Sequence, residues 1–218
     1  TLKYGVKSLR KGKGAIYIKS AGNGFEHLQG ANCTAGFSCQ NSNMDPIHTV
    51  PFQMVVGATN ANGVKSSYST AGASVWISSP GGEDGTDNPA MITTDQSGCH
   101  QGYSTSTYSS RHTISRDLDL NCNYTKGFNG TSSAAPTLAG AVALLLEANP
   151  DLTWRHVKHI LAKTADKIDA DRSDKVVILQ DGNYIAEPKW TINQADYHFH
   201  NWYGFGQVNV DKAVAMAS

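Results

Sequence analysis

The feature that most constrains the fold is a long run with a single charge, from residue 130 to residue 148. It begins with the turn and cap residues Gly130-Thr131-Ser132 and continues after Pro136 with small and aliphatic residues as far as Glu147. Cap residues in front of an apolar run of this length predict the start of an α-helix. A helix that is hydrophobic all round packs in the interior of a sizeable domain, so we expect this one in the core.

Ser132 lies at the predicted first turn of that helix. The first backbone N–H groups of a helix have no intrahelical partner and the helix dipole is positive there, so the position favours negative charge. An oxyanion forming beside Ser132 could be stabilised by the backbone N–H of Ser132 itself. From the residues alone two interpretations are open, a catalytic nucleophile and a simple helix N-cap, and capping by itself explains a serine here.

The pattern Gly130-Thr131-Ser132-x-Ala134-x-Pro136 resembles the nucleophile signature of the subtilisin-like serine proteases, the subtilases. In this resemblance Ser132, and not Ser133, carries the attacking hydroxyl. The segment from Leu144 to Arg155 is similar to the kexin and furin branch of the family. The resemblance implies a serine endopeptidase that works through an acyl-enzyme and cleaves after Lys or Arg at dibasic sites.

A second family segment follows a short predicted strand, Ala15-Ile16-Tyr17-Ile18. The strand leads into Ser20-Ala21-Gly22-Asn23-Gly24, which by its own chemistry is a tight turn with Asn23 as a turn residue. The same segment is similar to the one that supplies the oxyanion-hole asparagine of subtilases. An amide donates a neutral hydrogen bond to an oxyanion without bringing a charge to desolvate. The resemblance further implies that one wall of the pocket for the residue before the scissile bond is formed by Ser20, Ala21 and Gly22.

Asp45 is a candidate for the base of that specificity pocket. It precedes a predicted core strand, residues 52–58, by seven residues, close to where kexin-like proteases carry an acidic residue. A carboxylate in a partly dry pocket would select Lys or Arg through a charge-assisted hydrogen bond. Asp-Pro is also a common turn dipeptide, so a specificity residue and a turn residue are both open.

Calcium is a cofactor that the resemblance implies, but no metal ligand is assigned in this chain. Thr70 stands where furin-like enzymes have a calcium-binding glutamate, which puts that site in doubt. The segment 83–88 has three carboxylates among Gly and Asn, as a calcium loop does. It lacks the EF-hand spacing and a distal Glu, so an exposed acidic turn is the simpler interpretation.

Composition argues against several other function classes. The 218 residues include 18 Lys and Arg against 18 Asp and Glu, so no net charge draws the chain to nucleic acid or to an anionic membrane surface. No run reaches the roughly 20 apolar residues of a membrane span. The chain has the length of one domain or one large fragment, and nothing at Thr1 resembles a signal peptide.

The four cysteines form two local groups. Two disulfides, Cys33 with Cys39 and Cys99 with Cys122, are the simplest of three possible connectivities, and each would close a short loop. Together with the habit of the family they point to secretion, to the extracellular space or the periplasm. Residues 100–123 are an insertion relative to the family, closed by the second pair, for which we predict contact with substrate or a regulatory partner.

Strands that enter Gly-rich turns alternate with helices, the pattern of an α/β domain with a parallel sheet covered on both faces. The resemblance implies the three-layer subtilisin-like fold with a mainly parallel sheet, its N-terminal part absent from this chain. Residues 1–218 would then be one partial catalytic domain and Thr1 an internal position. We expect an unpaired sheet edge, and a chain that is distorted or self-associated without its missing part.

The family motifs that carry the histidine and aspartate partners of the serine do not occur in this chain. No histidine lies in a His-Gly-Thr context, and no Asp-Ser-Gly or Asp-Thr-Gly segment occurs. A serine nucleophile needs a base oriented by a third group, so we predict that the isolated chain is inactive. An N-terminal fragment of the same domain would supply both residues. The other expected partners are a polypeptide substrate and a propeptide or chaperone-like inhibitor, with no nucleic acid.

Two alternatives stand beside this hypothesis. In the first, the chain is a non-catalytic binding module on a subtilase scaffold that acts through the excursion closed by the second cysteine pair. The presence of both Ser132 and Asn23 argues against it, since a binding module needs neither. In the second, the chain is an unrelated serine hydrolase and the long match is accidental; its base would be one of His48, His100, His112 and His200.

Overall fold

The computed structural model describes residues 1–28, 31–32, 37–105 and 111–218. In chain order its elements are α1 (Leu2–Ser8), β1 (Tyr17–Ser20), β2 (His27–Leu28), β3 (Ala31–Asn32), β4 (Gln53–Thr59), β5 (Val75–Pro80), β6 (Met91–Thr94), β7 (Tyr124–Phe128), α2 (Thr131–Ala148), α3 (Trp154–Thr164), β8 (Lys175–Leu179), β9 (Gly182–Glu187), β10 (Thr191–Ile192), β11 (His198–Phe199) and α4 (Val210–Ala217). Short 3₁₀ turns lie at Arg10–Gly12 and Ser42–Met44.

The centre of the fold is a parallel sheet of three strands in the order β1-β4-β5. Tyr17 pairs with Gln53 at the start of the sheet, and Thr59 pairs with Pro80 at its far end. Every residue of the central strand β4 is buried, as the apolar run from Met54 to Ala58 predicts for a strand covered on both faces. The predicted core strand is thereby confirmed, shifted by one residue.

The helix predicted after Gly130 is confirmed as α2, which packs against all three strands and against α4. Its buried face includes Leu138, Val142 and Leu145. The prediction that it is buried all round is wrong, because Leu144 is 48% exposed and Ala139 and the small residues near it face outward. Three strands and one short helix cover only one side of an 18-residue helix.

By length and mean hydropathy alone α2 could also cross a membrane. This differs from the expectation that no run is long and apolar enough. Its contacts with the sheet give the alternative explanation, since the core helix of a folded domain has the same length and composition.

The first strand is the open edge of the sheet. It pairs with β4 on one side, and none of the strands in the described part of the chain pairs with its other side. Beside it lies a shallow apolar trough lined by Ile16 and Ile18, by Leu9, and by Ala139, Ala143 and Leu146 of α2. An unpaired edge next to uncovered apolar side chains is the arrangement expected of a sheet that continues in another segment.

Residues 100–123, the predicted insertion, lie between β6 and β7, which pair with each other in antiparallel orientation. Cys99 and Cys122 form a disulfide, as predicted, with their Cα atoms 5.0 Å apart. The Asp95 carboxylate accepts backbone N–H bonds from Tyr103 and Ser104, which fixes the first half of the excursion. Cys33 lies outside the described residues, and with it the other predicted pair.

Candidate active site

The two segments singled out from the sequence meet at the carboxyl ends of the parallel strands. Asn23 follows the end of β1 by three residues, and Gly130 caps the N-terminus of α2. The backbone of Gly130 has φ +96°, a conformation that glycine adopts at no steric cost. In open α/β sheets this end of the strands is where ligand sites form.

A chain of hydrogen bonds joins the two segments. The Gly22 N–H donates to Thr131 Oγ1 over 3.1 Å, and the Thr131 hydroxyl donates to Asn23 Oδ1 over 2.9 Å. The Thr131 N–H donates to the same Oδ1, also over 2.9 Å. Two donors at one amide atom identify it as the oxygen, so the Asn23 Nδ2 group faces away from Thr131 with its N–H bonds unused in this network.

Ser132 is the second residue of α2 and is exposed. Its hydroxyl makes no hydrogen bond with any residue in the described part of the chain. The Ser133 and Ala134 N–H groups both donate to Gly130 O, over 2.9 and 3.3 Å, and the first helical N–H is held by Asn23. The Ser132 N–H is therefore left among the first-turn donors that face outward.

Tyr68 supports the turn before the serine, and this role could not be predicted from the sequence. The Gly130 N–H donates to the Tyr68 hydroxyl over 2.9 Å, and that hydroxyl lies 2.6 Å from Gly82 O as a donor. Burial raises the pKa of Tyr68, so the hydroxyl keeps the proton that it donates. The contact joins residues 62 positions apart, for which a single sequence carries no signal.

Glu83, placed by sequence in a possible calcium loop, instead holds protein donors. Its carboxylate accepts the Ser67 N–H and hydroxyl, over 2.9 and 2.8 Å, and the Asn60 side-chain amide over 2.9 Å. Thr70 Oγ1 accepts the Gly24 N–H over 2.9 Å. Within the described ranges no group of three or more His, Cys, Asp or Glu side chains could hold a metal. These residues do not fit a calcium site, and no chemical step is assigned to calcium.

The predicted pocket wall continues directly into Asn23. Ser20 ends β1, the buried Ala21 donates its N–H to Val56 O over 2.9 Å, and Gly22 O accepts the Thr70 N–H over 3.0 Å. Gln40 closes the turn from the other side, because its N–H donates to Gly24 O over 2.9 Å. A Cβ atom on Gly24 would lie 2.7 Å from Gln40 Oε1, so Gln40 contacts this turn closely. Gln40 was not found from the sequence.

The structure does not bring Asp45 together with this wall. One carboxylate oxygen accepts the Ile47 N–H over 2.9 Å, and the other lies 3.5 Å from His48 Nε2. These contacts belong to the turn that leads into β4, as the Asp-Pro dipeptide allows. A role for Asp45 in specificity stays a prediction.

The contacts described for the four histidines considered as bases are with residues other than Ser132. His48 Nδ1 is 2.8 Å from Ser42 O, and His112 packs on Tyr103. His200 accepts the Trp202 N–H, and burial lowers its pKa to about 4. His100 is exposed. In the part of the chain that the structure describes, none of them forms a hydrogen bond with Ser132.

Replacing Thr131 by valine is expected to lower the free energy of unfolding of the chain by about 1–3 kcal/mol, because the buried hydroxyl that joins Gly22 and Asn23 is lost. Thr137→Val is the matched control, since that exposed threonine only bonds back to Ser133 O in the same helix. Urea denaturation measures both. Equal stability of the two variants would contradict the structural role of the Thr131 hydroxyl.

Residues 3–206 match the model of the subtilase family, peptidase family S8. The chain is 40% identical over 222 residues to the Aeromonas extracellular serine protease of Aeromonas sobria. The match covers 95% of this chain and 36% of that protein. It is 33% identical to a calcium-dependent protease of a Nostoc species, over 98% of this chain and 26% of the relative. It is 31% identical to the human proprotein convertase subtilisin/kexin type 6, over 98% of this chain and 17% of the relative.

A solved structure of the serine protease of Aeromonas sobria superposes with a TM-score of 0.90, at 40% identity, over 97% of this chain and 38% of that one. A structure of the same protease in complex with the chaperone ORF2 superposes with a TM-score of 0.87, at 39% identity, over 94% and 37%. The chain therefore spans little more than a third of the Aeromonas protein that it matches.

Proposed function

The chain belongs to the subtilase family and has its subtilisin-like α/β fold, and from that membership we propose that it is part of the catalytic domain of a serine endopeptidase. Ser132 is the proposed nucleophile and Asn23 the proposed side-chain donor of the oxyanion hole. The observation that carries the proposal is the amide of Asn23, anchored through Oδ1 by Thr131 beside an exposed Ser132. The unrelated-hydrolase hypothesis is incompatible with membership of this family.

In the proposed reaction the Ser132 oxygen attacks the carbonyl carbon of the scissile peptide bond while a histidine base takes its proton. The negative charge that develops on the carbonyl oxygen is held by the Asn23 Nδ2–H and the Ser132 N–H. The intermediate then expels the amine, which leaves with the proton from the histidine, and an acyl-enzyme on Ser132 remains. Water, deprotonated by the same base, releases the acid and restores the serine.

The histidine and its orienting aspartate come, in this proposal, from another part of a longer protein. Support comes from the length of the match, which covers 36% of the Aeromonas relative. The trough beside β1, with Ile16 and Ile18 on one side and Ala139 and Leu146 on the other, is an apolar surface on which a further strand and helix could pack. The same apolar surface predicts self-association of the isolated chain.

Cleavage after Lys or Arg rests on the similarity to a proprotein convertase of the subtilisin/kexin type. Ser20, Ala21 and Gly22 are the proposed wall of the pocket, and Asp45 remains the proposed acidic residue for a basic side chain. Secretion is proposed by analogy with the extracellular serine protease, and a chaperone-type partner by analogy with the protease solved with the chaperone ORF2. Calcium is proposed by analogy with the calcium-dependent protease, at a place other than Glu83 and Thr70. The 99–122 excursion is a candidate contact for substrate or such a partner.

The proposal is tested by combining this chain with the segment that carries the histidine and aspartate in the longer protein. We expect that neither piece alone hydrolyses a fluorogenic peptide with Lys-Arg before the scissile bond. The mixture of both pieces should hydrolyse it. The same peptide with Ala in place of Arg should be cleaved at least about 10²-fold more slowly, since a charged pocket residue would lose its partner. A stable complex of the two pieces without hydrolysis would favour the binding-module alternative.

A further inference from the structure

A cleft of about 640 Å³ opens at the end of the parallel strands opposite to the candidate active site. It lies at the N-terminal ends of β4 and β5, whose residues Gln53 and Trp76 line it, whereas Asn23 follows the C-terminal end of the parallel strand β1. The seven residues of β4 separate the two ends of the sheet, measured along the strands, by roughly 20 Å. Its other walls come from α3 and from the chain near β11, and are largely aromatic: Trp154, Tyr197 and Phe205.

Several polar atoms in this cleft are buried without a partner in the described structure. They are Trp76 Nε1, the side-chain oxygen of Gln53 and His48 Nε2. The other nitrogen of the His48 ring is already bonded to Ser42 O, and Nε2 lies 3.5 Å from Asp45 without hydrogen-bond geometry. Of these atoms Trp76 Nε1–H is a donor and the Gln53 oxygen is an acceptor. A buried donor without a partner costs about 1–3 kcal/mol, so the Trp76 N–H favours a ligand that offers an acceptor.

Lys158 of α3 is the buried charge of the cleft, 8% exposed. Its ammonium donates to Pro51 O over 2.7 Å and to Gln53 O over 3.1 Å, and it lies 3.7 Å from the centre of the Trp76 ring. An ammonium has three donors, so one remains for a further acceptor. Burial lowers the pKa of Lys158 to about 8, as expected of a cation without a carboxylate beside it.

The charge of the lining has one sign. Arg155 and Lys158 carry that charge, and none of the lining residues is Asp or Glu. The Arg155 guanidinium lies 4.3 Å from the centre of the Trp154 ring, at the edge of the aromatic wall. Cations beside aromatic rings in a partly enclosed cleft select an anion that carries an apolar body.

We propose that this cleft binds a carboxylate joined to an aromatic or apolar group. The carboxylate contacts Lys158 and Arg155, and the apolar body packs on the aromatic wall that Trp76, Trp154 and Phe205 form; the Trp76 and Phe205 rings contact each other there, with their centroids 4.8 Å apart. Two sources carry this chemistry, a free small aromatic acid and the C-terminal residue of a peptide. The site is separate from Ser132 and does not depend on the proposed peptidase activity.

Titration calorimetry on the 218-residue chain distinguishes the sources. The probes are indole-3-propionate, the peptide N-acetyl-Gly-Gly-Phe with a free carboxylate, and the same peptide as its C-terminal amide. We expect at least one acid to bind with a Kd below about 1 mM and the amide to bind at least about tenfold more weakly. The tighter of the two acids identifies the source. No binding of either acid, or an amide that binds as well as its acid, would overturn the proposal.

Variants locate the binding in this cleft. Lys158→Met is expected to weaken binding of the acid by about 10- to 100-fold, because a charge-assisted hydrogen bond is lost. Arg155→Gln, at an exposed position where folding is not at risk, should weaken it about threefold or more. Lys3→Met, an exposed lysine of α1, is the matched control and should not change the affinity. If Lys158→Met does not fold, the affinity of Arg155→Gln for the acid is the test. Folded variants that bind the acid as tightly as the unchanged chain would overturn the proposal.

Discussion

Replacing Ser132 by alanine is expected to abolish hydrolysis by the reconstituted catalytic domain, with a loss of about 10⁶-fold in kcat. The magnitude is that of the corresponding nucleophile substitution in subtilisin and is carried over from it. Without the hydroxyl no acyl-enzyme forms, and only the background rate supported by binding and the oxyanion hole remains. KM should change little, because Ser132 is exposed and takes part in none of the described packing of the core.

Ser133→Ala is the matched control, one residue along the same helix turn. Ser133 is 3% exposed, and only its backbone groups have described hydrogen bonds, with Gly130 and Thr137. We expect kcat within about threefold of the unchanged protein, since a buried Ser→Ala substitution removes no group near the substrate. Loss of activity in Ser133→Ala with retention in Ser132→Ala would show that the nucleophile has been assigned to the wrong serine.

Replacing Asn23 by leucine, which has a similar shape and no amide, is expected to lower kcat by about 10²–10³-fold with little change in KM. This range is again the one known for subtilisin. The amide donor acts on the oxyanion, which exists only in the transition state and the intermediate, so its loss does not weaken substrate binding. Steady-state kinetics on the reconstituted domain give both constants. A raised KM with unchanged kcat would contradict the oxyanion role.

Thr131 provides the internal control for Asn23. Its hydroxyl and N–H orient the amide and do not reach the substrate themselves in this account. Thr131→Val should therefore lower kcat less than Asn23→Leu, and adding it to Asn23→Leu should cost little more. Full additivity of the two losses would show that Thr131 acts independently of the amide.

The elements that the sequence predicts well are those whose signal is local. The cap residues before α2 and the apolar run at the centre of β4 predicted the position of both elements to within one or two residues. The exposed face of α2 could not be predicted, because it carries Leu144 and several small apolar residues and a single charge, Glu147. Which side of such a helix is covered depends on the strands and helices that are present to pack on it.

Candidate site residues could be proposed from the sequence where they stand in short motifs, and contacts that join distant parts of the chain could not. Ser132 and Asn23 were identified from two family segments, and the hydrogen bonds through Thr131 place those segments in contact. Tyr68 and Gln40 reach the same turns from distant parts of the chain, through contacts with backbone atoms that leave no pattern in one sequence. For the same reason the aromatic cleft at the N-terminal ends of β4 and β5 could not be predicted from the sequence.

Ser132 is tested as the nucleophile by labelling the reconstituted domain with a fluorophosphonate, which reacts only with an activated serine, and by locating the adduct through peptide mass spectrometry. We expect one adduct on Ser132, formed in the mixture with the histidine-bearing segment and not in the isolated chain. An adduct on another serine, or a stable complex that takes up no label, would contradict this role.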